Sequence, residues 1–173
     1  MRMKILDHPR TGFAVVLAAC LGLLAYAYFA QYRMMLDPCP LCILQRIAFM
    51  IMAAFALIGV LHGPRGAWRW VWTAGIAAGG AWGVITAGRH IWIQNLPPDQ
   101  VPDCGPGFDY NMEMFGLGEA LRSAFAGSGD CAVVDWSFLG LSMPWWTLIW
   151  YVGLMIFMVA AAIMVGKHRK NTV

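Results

Sequence analysis

The chain has 173 residues, of which 60% are apolar and only 12% carry a charge. Soluble globular domains average about 45–50% apolar and about 25% charged residues. This composition excludes an ordinary soluble domain and predicts an integral membrane protein. The formal net charge is +3, but the basic residues form no cluster of the kind that binds nucleic acid, so no nucleic-acid partner is expected.

Four segments are apolar enough to cross a bilayer as helices, which takes about 20 residues each. We predict these spans at 11–31, 41–61, 70–88 and 144–166. The short alternating segments of a membrane barrel are absent. The predicted fold is therefore all-α: a four-transmembrane-helix bundle that forms a single membrane domain over residues 1–173.

The first segment allows a second interpretation, as a secretory signal. It follows Arg2, Lys4 and Arg10, and Ala25-Tyr26-Ala27 resembles a cleavage site. The apolar run is long for a signal core, and cleavage would remove a packing partner from the other helices. We therefore expect it to remain as a helix of the bundle.

The lysines and arginines predict the orientation of the chain. Eight of the twelve lie before the first span, between the second and third spans, or after the fourth: Arg2, Lys4, Arg10, Arg65, Arg69, Lys167, Arg169 and Lys170. Cytoplasmic loops carry an excess of basic residues. Both termini are thus predicted to be cytoplasmic, and loops 32–40 and 89–143 periplasmic.

Four of the five cysteines fall on the predicted periplasmic side, where disulfides form and persist. Cys39 and Cys42 lie at the start of the second span, and Cys104 and Cys131 lie in the long second loop. Cys20 lies in the middle of the first span and is predicted to be a small buried residue.

The second periplasmic loop contains a mixed apolar and charged stretch over 108–125. Its apolar residues recur roughly at helical spacing, although Gly116 and Gly118 interrupt them. This pattern predicts either a short amphipathic helix on the membrane interface or an ordinary loop.

The motif Cys39-Pro40-Leu41-Cys42 places two thiols three residues apart at a helix N-terminus. The helix dipole there favours an anion and lowers a thiol's pKa, which suits thiol–disulfide exchange. A c-type haem is excluded because Ile43, not histidine, follows the second cysteine. A zinc site that includes Cys104 and Cys131 remains an alternative, as do purely structural disulfides.

Arg46 adds a charge inside the second span, where charged side chains are costly and usually functional. It follows Cys42 by four residues, so both occupy one helix face. His90, at the outer end of the third span, is expected at the same depth. Snorkelling of Arg46 to the interface is the alternative. A thiol pair, a guanidinium and an imidazole at one level predict a site for an oxidant that lives in lipid.

In this order, the motifs resemble the bacterial disulfide bond formation protein B family, DsbB. The resemblance covers roughly residues 11–166. It depends on Cys104 and on three motifs: Pro38-Cys39-Pro40-Leu41-Cys42-Ile43-Leu44-Gln45-Arg46, Ser128-Gly129-Asp130-Cys131 and Trp136-Ser137-Phe138-Leu139-Gly140-Leu141-Ser142-Met143-Pro144.

The resemblance implies a bacterial inner-membrane enzyme, a quinone-dependent thiol oxidase. It would reoxidise a periplasmic thioredoxin-like partner of the DsbA type and pass the electrons to ubiquinone or menaquinone. Cys104 and Cys131 would form the disulfide that oxidises the partner, and Cys39 and Cys42 the pair that reoxidises this loop disulfide. No resident metal is expected.

The family's quinone site implies further residues. Cys42 would face the quinone ring, Arg46 and His90 would match the site's arginine and histidine, and Met143 would line the same pocket. The region 94–128 departs most from the family pattern, and no docking residue is assigned there.

Two rival functions come from other classes of protein. A copper-handling membrane protein would use the soft ligands of Cys39, Cys42 and Met112-Glu113-Met114. A non-catalytic membrane scaffold would contain the cysteines only as structural disulfides.

Overall fold

The structure is a computed structural model that describes residues 9–64, 66–105 and 107–170, with backbone alone for Pro9 and 167–170. These residues form five helices: α1 (Pro9–Arg33), α2 (Pro40–His62), α3 (Trp68–Gln94), α4 (Phe108–Ala126) and α5 (Met143–Lys170). Arg2, Lys4 and Arg65, which support the predicted orientation, lie outside the described residues, as do the side chains of Lys167, Arg169 and Lys170.

Three helices in the described part of the chain are long and apolar enough to cross a membrane: Arg10–Arg33, Pro40–His62 and Met143–Gly166. The remaining long helix, α3, has 27 residues, which at 1.5 Å per residue is about 40 Å of helix. Its glycines, tryptophans and threonines lower its mean hydropathy relative to the other three. The chain is therefore a mainly helical membrane protein.

The core lies where α1, α2, α3 and α5 meet. Its buried residues come from all four helices: Phe13, Val16, Cys20, Ala48, Phe49, Met52, Ala56, Ile76, Ala87, Tyr151, Leu154 and Met158. The rings of Phe49 and Tyr151 stack with centroids 4.2 Å apart. Cys20 is fully buried in this core, as predicted. The segment considered as a secretory signal is thus an integral part of the packed bundle.

Glycines allow α3 to lie close to its neighbours. A Cβ atom built on Gly83 would come within 2.5 Å of the Tyr151 ring, and one on Gly80 within 2.7 Å of the Met155 side chain. Small residues at a membrane helix interface let the backbones approach and gain van der Waals contact. The glycine content that lowers the hydropathy of α3 is therefore what fits it against α5.

The segment between α3 and α5 contains a helix, one of the two alternatives that its apolar spacing allowed, since α4 covers Phe108–Ala126. It is broken at Gly116, whose φ of 80° and ψ of 177° are not helical. The C-terminal end of α4 is tied to α3, because Arg89 Nη2 donates a hydrogen bond of 3.0 Å to the Ala126 carbonyl. The Trp82 and Phe125 rings also stack there. Whether α4 lies on the membrane interface stays a prediction.

A short hairpin leads from the outer segment into α5. Strand β1 (Ser137–Phe138) pairs antiparallel with β2 (Leu141–Ser142). The two turn residues, Leu139 and Gly140, have φ values of 53° and 78°. Positive φ at both positions is typical of a tight type I′ turn, which matches the twist of the strands it joins.

Candidate functional site

The two cysteines of the Cys39-Pro40-Leu41-Cys42 motif lie together at the start of α2. Cys39 is the N-cap: its backbone is extended, and its sulfur accepts a hydrogen bond from the Cys42 amide at 3.3 Å. Pro40 fits the first helical position because its own missing N–H has no helical partner to lose. The two sulfurs are 2.9 Å apart, so little movement separates this dithiol from a bridge.

His90 extends from α3 to both sulfurs. Its Nε2 is 3.8 Å from Cys39 Sγ and its Nδ1 is 4.0 Å from Cys42 Sγ. The ring is buried, with 3% of its surface exposed. The structure therefore brings together the thiol pair and the imidazole that the sequence analysis had assigned to one depth.

Gln45, a residue that the sequence did not single out, contacts the Nδ1 atom of this imidazole. Gln45 is buried, and its Nε2 lies 3.2 Å from His90 Nδ1. Its Oε1 accepts a hydrogen bond of 2.7 Å from the hydroxyl of Thr147 on α5. The available signal was an uncharged polar residue inside an apolar span, three residues after Cys42 and thus on the same helix face.

The two loop cysteines have different surroundings. Cys131 is fully buried in an apolar cluster that also contains Cys39, Leu41 and Ile93. Its thiol interacts directly with the Cys39 thiol. Cys104 is exposed, and its thiol points to the Asp130 carboxylate with Sγ 3.7 Å from Oδ1. All five cysteines are unbridged here, and Cys131 is a neighbour of the Cys39–Cys42 pair.

The environment raises the pKa of two of these thiols. Interaction with Cys39 and then burial raise the pKa of Cys131 well above the ordinary range. For Cys39, the contact with Cys131 lowers the pKa, but Cys42 and burial together outweigh it, and the net direction is upward. The expectation that the helix N-terminus lowers the pKa of Cys39 is therefore wrong for the reduced centre, because crowded thiols cannot all ionise.

The dithiol opens onto a cavity of about 870 Å³ between the outer ends of the helices. Five of the seven predicted site residues line it: Cys39, Cys42, Arg46, His90 and Met143. Its walls also include aromatic and apolar side chains, among them Leu23, Tyr26, Phe49, Trp136, Trp146 and Trp150. Cys104 and Cys131 do not line this cavity.

Arg46 is held in the cavity wall by α1. Its guanidinium donates hydrogen bonds to the Gln31 side chain and to the Ala27 carbonyl, and it lies over the Tyr28 ring at 5.2 Å from the centroid. These contacts hold the guanidinium against α1 at the cavity wall. A guanidinium has five N–H donors, so such anchoring leaves donors for another acceptor.

The sulfur and nitrogen atoms of Cys39, Cys42 and His90 lie within 4.8 Å of one another. These are soft ligands that suit zinc or copper(I). Within the described residues, Glu113 of the proposed copper set is exposed on α4 and does not belong to this group.

A cysteine pair at the mouth of an apolar cavity, with a third thiol packed against it, defines a membrane thiol–disulfide oxidoreductase. Residues 9–161 match the family model described as Disulfide bond formation protein DsbB. The chain belongs to this family.

Relatives named Disulfide bond formation protein B agree with this assignment over nearly the whole chain. The protein of Xanthomonas campestris pv. campestris (strain 8004) is 46% identical over 163 residues, which cover 92% of each chain. That of Xanthomonas oryzae pv. oryzae (strain MAFF 311018) is 47% identical and covers 94% of each. The Chromobacterium violaceum protein is 42% identical, covering 94% of this chain and 96% of its own. The protein is thus a membrane disulfide-bond formation protein, and the copper-handling and scaffold interpretations are not favoured.

Proposed function

We propose that this protein oxidises a periplasmic dithiol partner of the DsbA type and transfers the electrons to a membrane quinone. The observation that carries the proposal is the position of Cys39 between two other thiols. Cys131 contacts it from the outer segment, and Cys42 contacts it from the side of the cavity. Electrons that enter at the exposed Cys104 would reach this series of thiols through a Cys104–Cys131 disulfide.

The first exchange oxidises the partner. A thiolate of the partner attacks Cys104 of a Cys104–Cys131 disulfide, and the electron pair of the broken bond goes to Cys131. The second partner thiol then displaces Cys104, so the partner leaves as a disulfide. Cys104 is the exposed member of the loop pair and Cys131 the buried one, which supports attack at Cys104.

The second exchange transfers the electrons to the cavity. Cys131 attacks Cys39 of a Cys39–Cys42 disulfide, a Cys39–Cys131 bond forms, and Cys42 departs with the electron pair. Cys104 then attacks Cys131, which restores the loop disulfide and leaves Cys39 and Cys42 as a dithiol. Two electrons have moved from the loop pair to the helix pair.

The cavity fits a quinone ring. It is of the size of small-molecule pockets, about 300–1,000 Å³, and it has apolar walls with a few polar groups. A bound quinone would accept two electrons and two protons from the Cys39–Cys42 dithiol and leave as the quinol. Arg46 would donate hydrogen bonds to a ring oxygen, while His90 and Met143 would border the ring.

The membrane arrangement we propose includes α3 as a fourth span. Between Arg69 and Arg89 this helix contains no charged residue, and it packs between α2 and α5, which are themselves candidate spans. With four spans, both termini face the cytoplasm, and the segments 32–40 and 89–143 face the periplasm of a bacterial inner membrane. The thiols then lie on the oxidising side.

Quinone reduction by the purified protein tests the function. A reduced thioredoxin-like partner and a short-chain ubiquinone are supplied, and the loss of quinone absorbance is followed. We expect Cys104→Ser and Cys131→Ser to abolish the reaction driven by the partner. They should retain the reaction driven by dithiothreitol, which is small enough to reduce the Cys39–Cys42 pair directly.

The other cysteines provide the controls. Cys42→Ser should abolish both reactions, and Cys20→Ser, a change within the core, should abolish neither. A normal partner-driven rate in Cys104→Ser would overturn the relay. Repeating the assay with a menaquinone analogue shows which quinone the cavity prefers.

A further inference from the structure

Gln45 uses both ends of its side-chain amide in the bundle interior. Only 4% of the residue is exposed. Its Nε2 lies 3.2 Å from His90 Nδ1 on α3, and its Oε1 accepts from the Thr147 hydroxyl on α5 at 2.7 Å. Its backbone carbonyl accepts a further hydrogen bond of 2.6 Å from the Tyr151 hydroxyl. One glutamine of α2 is therefore fixed by both neighbouring helices.

When the Thr147 hydroxyl donates to Oε1, these contacts determine which way the amide is turned. An amide donates only through its nitrogen and accepts only through its oxygen. Because Thr147 donates to Oε1, the nitrogen of Gln45 faces His90, and His90 Nδ1 must accept. A neutral imidazole with an accepting Nδ1 carries its proton on Nε2. Nε2 is the nitrogen that lies 3.8 Å from Cys39 Sγ.

We propose that Gln45, oriented by Thr147, is a positioning residue that holds His90 as the Nε2–H tautomer and makes it a hydrogen-bond donor to the Cys39 sulfur. This inference rests on the proposed relay. When Cys104 attacks Cys131, the bond between Cys131 and Cys39 breaks and its electron pair goes to Cys39. A fixed N–H group aimed at that sulfur stabilises the charge as it forms.

The Gln45 amide could be turned in either of two ways, and the proton of the Thr147 hydroxyl decides between them. The hydroxyl has one proton and two acceptors within reach, Gln45 Oε1 at 2.7 Å and the Pro144 carbonyl at 2.9 Å. If the proton went to Pro144, the amide could turn over, Nδ1 would become the donor, and Nε2 would face Cys39 as a base. The shorter contact favours donation to Gln45, which puts the His90 proton on Nε2. The turned amide would put that proton on Nδ1, so the tautomer of His90 distinguishes the two arrangements.

Nitrogen NMR of the reduced full-length protein, labelled in its histidine rings, measures this tautomer directly. The His90 signals are assigned by their loss in His90→Phe, and spectra are recorded at a pH where the rings are neutral. We expect protonated Nε2 and unprotonated Nδ1 in the unmodified protein. Protonated Nδ1 there would overturn the proposal.

Two substitutions show whether Gln45 and Thr147 cause the tautomer. In Gln45→Glu the carboxylate can only accept, so the proton should move to Nδ1. In Thr147→Val, which keeps the side-chain shape, the amide is free to turn and both tautomers should appear. Thr86→Val is the matched control, because the Thr86 hydroxyl bonds only to the backbone of its own helix. An unchanged tautomer in both test variants would also overturn the proposal.

Kinetics separates this inference from the function on which it rests. Gln45→Met, which removes the amide but fills similar space, should lower partner-driven turnover about tenfold, as expected for one lost hydrogen bond to a charged group. Because Gln45 also lines the cavity, the dithiothreitol-driven reaction is measured beside it to separate slower thiol exchange from weaker quinone binding. If the unmodified protein reduced no quinone, the relay would fail while the NMR result still decided the tautomer. If Gln45→Met turned over normally, the tautomer would have no role in exchange.

Discussion

The Cys131 thiol lies against the Cys39 thiol, and both are buried in one apolar cluster at the outer end of α2. Cys104 is exposed, and it lies close to the short helical turn Gly129–Cys131. A Cβ atom on Gly129 would come within 2.9 Å of the Cys104 sulfur, so this sulfur packs directly against the turn. Cys131 is therefore the loop cysteine that contacts the helix pair, and Cys104 is the one that meets solvent.

The first prediction is that Cys39 and Cys131 can be captured as a disulfide. In a protein with Cys42→Ser and Cys104→Ser, neither sulfur has its own partner, so mild oxidation should join the two neighbours. The measurement is peptide mapping under non-reducing conditions. Cys20 stays in this protein as an internal control, because it is buried in the bundle core and should remain a free thiol. Failure of the bridge to form would contradict the contact between the Cys39 and Cys131 thiols.

The second prediction concerns the pH dependence of Cys131 in the reduced protein. Contact with Cys39 and burial raise its pKa, so the thiol stays protonated at neutral pH. An ordinary thiol ionises near a pKa of about 8.5. Alkylation of Cys131, followed by mass spectrometry, should therefore keep rising with pH above that value. In Cys39→Ser the interaction with the Cys39 thiol is removed. The pH at which Cys131 reaches half of its maximal alkylation rate should therefore fall. Burial slows alkylation in both proteins, so the midpoint and not the absolute rate is compared.

The third prediction concerns the packing of α3 on α5. In Gly83→Ala the new Cβ would meet the Tyr151 ring, which cannot turn away without losing its hydrogen bond to Gln45. Overpacking of this kind typically costs about 1–3 kcal/mol, so the melting temperature in detergent should fall. Gly88→Ala is the control, since nothing lies within 4 Å of a Cβ atom there. Alanine favours a helix over glycine by about 1 kcal/mol, and Gly88→Ala should melt no lower than the unmodified protein.

The fourth prediction is the topology. Reporter fusions after Gly66 and after Lys170 should read cytoplasmic, and a fusion after Gly127 should read periplasmic. The pair at Gly66 and Gly127 isolates α3, because the two reporters lie on opposite sides only if this helix crosses the membrane. A periplasmic reading after Lys170 would contradict the four-span arrangement.

The elements of this fold follow from local features of the sequence, which is why they were predictable. Long apolar runs predicted the membrane helices, and Pro40 next to Cys39 predicted where α2 begins. The apolar spacing of 108–125 indicated α4 only as one of two alternatives, the other being an ordinary loop. The break of α4 at Gly116 was visible only as an interruption, because a glycine permits a non-helical backbone without requiring it.

The arrangement of the site was less accessible, because it depends on how the helices pack. Gln45 and Thr147 are 102 positions apart, and nothing local to either predicts that they meet. The raised pKa of Cys39 was missed for the same reason. The helix N-terminus is a local feature that favours a thiolate, whereas the opposing effects of Cys131, Cys42 and burial exist only in the folded chain.

The last prediction concerns Arg46. A quinone that accepts electrons from Cys42 gains negative charge on its oxygens, and a fixed donor in a site poor in water stabilises that charge. Removing one such donor typically costs about 10²–10³ in turnover. Arg46→Ala should therefore lower quinone-dependent turnover by about a hundredfold and raise the KM for quinone. Arg46→Lys should retain part of the activity, because the charge survives while the planar fork of donors does not.

The neighbours of Arg46 on α1 show how to separate this role from a structural one. Gln31→Ala removes one of the groups that hold the guanidinium, yet leaves the charge, so turnover should fall less than in Arg46→Ala. Arg33→Ala is the matched loss of an exposed arginine outside the cavity lining and should leave quinone kinetics unchanged. The measurement is turnover across a quinone titration, with the melting temperature as the control for folding. Normal quinone kinetics in Arg46→Ala, together with a lower melting temperature, would show that Arg46 only stabilises the packing of α1 on α2.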